Sequence, residues 1–195
     1  MIDYKNNKPF VEGVSIEDIA KTQSTPFYVY SQSKISNTYK QLDNIFKSEI
    51  FYAIKANSNQ AIIKLMSNLG AGADVVSVGE LERAIQAGVN PKKIIFEGIG
   101  KTKNDIAYSI EKKIRLINIE SLDELKRIDE VALNQNKKVD IGIRLNPNID
   151  SQTLDKISTG KKTDKFGIDS NQLNNIFEVL IVSSNVNLMG ISCHV

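Results

Sequence analysis

Hydrophobic and polar residues alternate along this chain in two periods, and the periods take turns. Short apolar runs rich in β-branched and aromatic residues predict strands at 49–57, 73–77, 93–97, 115–119, 139–146 and 187–195. Between them, apolar residues at helical spacing predict helices at 60–69, 79–87, 103–111, 121–136 and 171–183. Strict β/α alternation at about 20–30 residues per unit implies a parallel sheet covered by helices. Before it, residues 1–24 are polar and mixed, with a weak helix signal from Ser15, where Asp18 follows three residues on as in a capping box. Residues 25–31 read as an isolated strand with Pro26 near its start, and Ile35, Tyr39, Leu42 and Phe46 predict a helix over 33–46.

The face on which polar residues fall chooses between a doubly wound sheet and a barrel. Strands covered on both faces are almost wholly apolar. Here Asp140, Gly142 and Arg144 oppose Ile141, Ile143 and Leu145, Asn118 shares a face with Glu120, and Leu188, Gly190, Ser192 and His194 oppose Met189, Ile191 and Cys193. An apolar outer face with polar groups at the C-terminal strand ends is the pattern of a (β/α)8 barrel with a catalytic mouth. About six of the eight β/α units are present, so the expected fold is an incomplete (β/α)8 TIM barrel truncated after strand six. The expected division is an N-terminal segment, 1–35, and a partial barrel, 36–195.

Composition narrows the chemistry. A net charge of +2 with no dense basic stripe argues against nucleic acid as a partner. No apolar run reaches the ~18 residues that would cross a membrane, and no secretory signal opens the chain, so a cytoplasmic location is expected. One cysteine (Cys193) and one histidine (His194) exclude an internal disulfide and a Cys- or multi-His-built metal site. If the strands form a barrel, the inward residues at their C-terminal ends converge: Lys55, Asp74 or Ser77, Glu97, Asn118, Glu120, Arg144 and His194. That set suits Schiff-base chemistry on pyridoxal phosphate. Lys55 shares a strand face with Phe51 and Ala53, where loss of water would favour a neutral, nucleophilic amine; the plain alternative is a strand-end lysine snorkelling to solvent. Asp74 and Glu80 read equally as a salt-bridge partner and a helix-start acid. Gly98-Ile99-Gly100-Lys101-Thr102 ends like a P-loop, but Ile95 stands where the first glycine is needed and the turn is too short to cradle phosphate. The lysines of the aperiodic stretch 150–168 (Lys156, Lys161, Lys162, Lys165) suggest an anion-facing segment or a solvated loop.

Five motifs occur in order: Phe51-Tyr52-Ala53-Ile54-Lys55-Ala56-Asn57, Gly72-Ala73-Asp74-Val75-Val76-Ser77-Val78-Gly79-Glu80-Leu81, Arg144-Leu145-Asn146-Pro147, Ile157-Ser158-Thr159-Gly160 and Lys165-Phe166-Gly167-Ile168. Together they resemble the barrel-type pyridoxal-phosphate-dependent decarboxylases of basic amino acids. The resemblance implies pyridoxal 5'-phosphate as cofactor, held by Lys55 as a Schiff base, with Asp74 and Glu80 in the charge network around it. It implies Arg144 near the cofactor ring and His194 stacked on the ring face. It implies a small amino-acid substrate, with the 157–160 and 165–168 motifs favouring meso-diaminopimelate over ornithine or arginine, and hence lysine synthesis. A non-catalytic pyridoxal-phosphate-binding barrel is a further alternative. It also implies a homodimer whose β-domain would take up residues 25–31 as a strand. Val78 and Leu154 depart from the family's pattern, and the family's phosphate loop and β-domain are not within these 195 residues.

Overall fold

The structure is a computed structural model describing residues 2–149 and 166–194. It divides into two compact units, Met1–Ile50 and Phe51–Val195.

The first unit opens with a small antiparallel sheet that the sequence pattern did not announce: β1 (Ile2–Lys5), β2 (Lys8–Val11) and β3 (Val14–Ser15). Pairing of Lys5 with Lys8 and of Val11 with Val14 leaves two-residue turns at Asn6-Asn7 and Glu12-Gly13. All four turn residues have positive φ, as a type I′ hairpin turn requires. Helix α1 (Ile16–Thr22) follows, with the Ser15 hydroxyl accepting from the Asp18 N–H as expected. The strand expected at 25–31 is absent, because nothing among the described residues offers it a hydrogen-bonding ladder; Tyr28 is 90% exposed. Helix α2 (Gln32–Ile45) is started by Ser31, and the Glu12 carboxylate accepts the Ser33 N–H at 2.7 Å, tying the second hairpin turn to that helix start.

The second unit alternates strictly: β4 (Phe51–Ala53), α3 (Gln60–Leu69), β5 (Gly72–Val75), α4 (Val78–Gln86), β6 (Ile94–Phe96), α5 (Lys103–Glu111), β7 (Leu116–Ile119), α6 (Leu122–Asn134), β8 (Val139–Arg144), α7 (Leu173–Val182) and β9 (Val186–Ser192). The six strands are parallel and lie side by side in chain order. Right-handed crossovers that never reverse direction put every helix on the same side of the sheet, so the sheet is a barrel wall rather than a doubly wound layer. Ile94, Ile117, Ile141 and Ile143 project from the outer face into the helices and are at most 1% exposed. On the inner face, Gly142 has no room for a Cβ, because the Asn118 Oδ1 from the neighbouring strand occupies that space. Asn59, Ser77, Thr102 and Ser121 each cap the helix that follows a strand, and Thr102 closes a full capping box with Asp105. Among the described residues, no helix is long and apolar enough to cross a membrane.

Two expectations about strand faces need correction. The predicted strand 49–57 ends at Ala53, and Ile54–Ala56 is a 3₁₀ turn, so alternation does not set the direction of Lys55. In β9 the pairing passes from Ile141 with Leu188 directly to Gly142 with Gly190, making Met189 an extra, bulged residue. Leu188 therefore belongs to the outer face beside Ile141, while Gly190 and Ser192 fall on the inner face beside Gly142 and Arg144.

Candidate active site

At the C-terminal ends of the strands a cleft of about 500 Å³ is lined by Lys55, Asp74, Glu97, Arg144, Phe166 and His194, among others. The four residues expected to handle the cofactor (Lys55, Asp74, Arg144, His194) thus lie in one cavity.

Lys55 is placed there by its turn. The Asn57 N–H closes the 3₁₀ turn on the Ile54 carbonyl at 3.0 Å, and the Tyr52 hydroxyl donates to the Asn57 carbonyl at 2.9 Å. Ile54 anchors the turn in the core with no exposure, while Lys55 itself is exposed. The expectation that Lys55 is stripped of water on an apolar strand is therefore corrected: the amine stands in an open cleft.

Asp74, near the end of β5, has a buried Oδ1 with no hydrogen-bond partner. Burial first, then the carboxylates of Glu97 and Glu80, push its pKa up to about 6, against the opposing pull of Lys55 and Arg144. Glu97 follows β6 and accepts a hydrogen bond from the Asn118 side-chain amide; burial also pushes its carboxyl up. Raised acid pKa values favour the protonated form in the folded state. The unfolded chain's Asp74 titrates near its ordinary ~3.9, so stability falls as pH rises from about 4 to about 6 and is flat above. We expect Asp74→Asn to melt at higher temperature than the wild type at pH 7.5, with the gap closing as pH falls through 6 towards 4. Melting curves across that range check it; a gap of constant size would contradict the assigned origin.

Arg144 ends β8 and is 7% exposed. Its Nη1 donates to the Glu120 Oε1 at 2.7 Å, and its guanidinium carbon lies 4.9 Å from the centre of the Phe166 ring. His194 stands at the mouth, its pKa lowered by partial loss of water and by the cations Arg144 and Lys55. Cys193, set on the apolar outer face by strand parity, is instead exposed and lines the cleft, because β9 ends at Ser192 and alternation ends with it.

The other converging residues take separate places. Ser77 caps α4 by accepting the Glu80 N–H, and the Glu80 Oε2 accepts the Val76 N–H at 2.9 Å, so both serve the helix start. Asn118 lies deeper, on the inner wall beneath the mouth. Lys101, from the P-loop-like motif, is 3% exposed and donates to the Asn118 carbonyl at 2.8 Å, to the Glu124 Oε1 at 3.0 Å and to the Gly98 carbonyl. Its ammonium is committed to these three acceptors, a structural role. Leu154, the 157–160 motif, and Lys156, Lys161, Lys162 and Lys165 lie outside the described residues. Phe166 is the site residue the sequence reading missed; its signal was the Lys165-Phe166-Gly167-Ile168 motif itself.

An amine, a guanidinium, an imidazole and a carboxylate with an orphaned buried oxygen are a donor set that fits pyridoxal phosphate: an aldehyde for the amine, and a polar, charged ring for the others. Comparison with known proteins agrees. The profile of the family described as "Pyridoxal-dependent decarboxylase, pyridoxal binding domain" matches residues 32–195. The diaminopimelate decarboxylase of Aquifex aeolicus is 38% identical over 195 residues, which are 100% of this chain and 46% of that protein. That of Helicobacter pylori (strain J99) is 44% identical over 164 residues, 83% of this chain and 40% of that one. The crystal structure of diaminopimelate decarboxylase from Helicobacter pylori complexed with L-lysine matches with a TM-score of 0.89 at 39% identity, covering 92% of this chain and 46% of that chain. The chain spans about half the length of these relatives.

Proposed function

The chain belongs to the pyridoxal-dependent decarboxylases by their pyridoxal-binding domain, and from that premise we propose that it carries the cofactor-binding part of an enzyme converting meso-2,6-diaminopimelate to L-lysine. The observation that carries the reading is the meeting of Lys55, Asp74, Arg144 and His194 in one cleft at the mouth of the barrel wall. The names and lysine complex of the relatives support the substrate.

Pyridoxal 5'-phosphate, when bound, supplies a ring that accepts the electron pair left by the departing carboxylate. Lys55 would be the amine that holds the cofactor, and its Nζ, open to the cleft, could carry a proton there. Arg144 presents a fixed positive charge, its geometry set by the Glu120 carboxylate and the Phe166 ring. Asp74 offers the unpartnered Oδ1 to a cationic or protonated group. His194, with its pKa lowered, favours the neutral imidazole and can lie against the face of an aromatic ring. The same reading places the protein in the cytoplasm as a homodimer and assigns residues 1–35 to a β-domain, with the barrel from 36 onwards.

Mixing the whole protein with pyridoxal phosphate and recording the visible spectrum tests the role of Lys55. A band above 400 nm is expected from the lysine-bound cofactor, with none in Lys55→Ala; a band surviving the substitution removes Lys55 from its role. Carbon dioxide release by the whole protein from meso-diaminopimelate, ornithine and arginine tests the substrate. A preference for ornithine or arginine overturns that part, and release from none of the three leaves a non-catalytic cofactor-binding barrel.

A further inference from the structure

Glu120 follows β7, is 7% exposed and spends both carboxylate oxygens on different parts of the cleft wall. Its Oε1 accepts Arg144 Nη1 at 2.7 Å; its Oε2 accepts the Gly167 N–H at 2.8 Å. Gly167 belongs to a short return, Phe166–Ile168, laid beside the end of β8. There Ile168 N–H donates to the Arg144 carbonyl at 2.8 Å, Asn146 N–H to the Ile168 carbonyl at 2.9 Å, and the Asn146 side-chain amide to the Phe166 carbonyl at 3.0 Å. Gly167 has φ +79°, and a Cβ there would lie 2.8 Å from the Asn146 nitrogen, so only glycine brings its N–H to the carboxylate. From behind, the Glu120 N–H donates to Glu124 Oε2 at 2.7 Å, and Glu124 is itself held by Lys101 at 3.0 Å. Glu120 therefore has little freedom, and neither partner can shift without disturbing the other.

We propose that Glu120 is a positioning residue for the cofactor cleft: its single carboxylate fixes the Arg144 guanidinium and, through Gly167, the Phe166 ring against which that guanidinium lies. The inference rests on the reading of the cleft as a pyridoxal-phosphate site. Glutamine at 120 keeps the length but cannot accept both hydrogen bonds as an anion; aspartate keeps the charge but is one methylene too short to reach both partners.

The test uses Glu120→Asp and Glu120→Gln in the whole protein, with Glu130→Gln, whose carboxylate pairs with exposed Lys103 among the described residues, as control. Amide hydrogen exchange at Gly167 and Ile168 reads the return segment, and absorbance titration with pyridoxal phosphate reads the cofactor. In Glu120→Asp, exchange at Gly167 is expected to quicken at least tenfold and cofactor affinity to fall at least tenfold, with the far-UV circular dichroism of the wild type retained and a displaced visible absorption maximum. Glu120→Gln behaves likewise or more severely, and Glu130→Gln changes nothing. Unchanged exchange at Gly167, or cofactor affinity and absorption maximum matching the wild type, overturns the proposal. If the wild type itself develops no band, the cofactor reading and the cofactor half of the inference fall together. Gly167 exchange then still decides whether Glu120 sets the return segment.

Discussion

Replacing Arg144 with methionine should destabilise the protein by about 3–5 kcal/mol, the usual cost of stranding one member of a buried ion pair. The side chains of Arg144 and Glu120 are 9% and 3% exposed, so the carboxylate left behind has little water to turn to. One of its oxygens keeps the Gly167 N–H; the other loses its partner altogether. Methionine fills much of the volume and still packs on the Phe166 ring, so the loss reports charge rather than a cavity. Urea unfolding followed by circular dichroism measures it, and the double variant Glu120→Gln with Arg144→Met should recover part of the loss by removing the stranded charge. A double variant no more stable than the single one would mean that the charge of Glu120 is not what makes the loss of Arg144 costly.

Lys101→Met is expected to cost a similar ~3–5 kcal/mol for a different reason. The Lys101 ammonium satisfies two backbone carbonyls as well as the Glu124 Oε1, with 1% and 5% exposure of the paired side chains. Its loss strands a carboxylate and two carbonyls at once, and it releases the loop after β6 from the end of β7. Adding Glu124→Gln therefore recovers less than the matching change does for Arg144, because the carbonyls stay without a donor. Thermal unfolding of the single and double variants decides; a loss below about 1 kcal/mol for Lys101→Met would show that water replaces the ammonium there.

These two ion pairs mark how far the sequence could be read. Helices at 60–69 and 103–111 are legible to the residue, because Asn59 and Thr102 are strong caps ahead of clear apolar periods. The barrel is legible because polar residues fall on one face of the strands, as at Asp140, Gly142 and Arg144. The pairing of Glu120 with Arg144 is not, since alternation says which way a side chain points but not which of several inward groups it meets. Lys55 reaches the cleft by a 3₁₀ turn and not by strand alternation, and nothing in Ile54-Lys55-Ala56 distinguishes a last strand residue from a turn. Likewise the bulge at Met189 resets the inner face of β9 without any glycine or proline signal at that residue. The hairpins of the first unit escaped notice because Asn6-Asn7 and Glu12-Gly13 are weaker turn pairs than Asn-Gly, and their strands have at most four residues. Lys101 looked like half a nucleotide-binding motif and is a brace.

The contact between Asn118 and Gly142 has a consequence for how this barrel can change over time. The amide of one residue stands where the first side-chain atom of the other would be, so what one position can hold depends on the other. A side chain gained at 142 requires the amide at 118 to swing away or be lost. Giving up that amide also withdraws the hydrogen bond it donates to Glu97. A bulkier interior at 142 therefore comes with an altered carboxylate at the mouth, and a packing glycine is tied to the cleft two strands away.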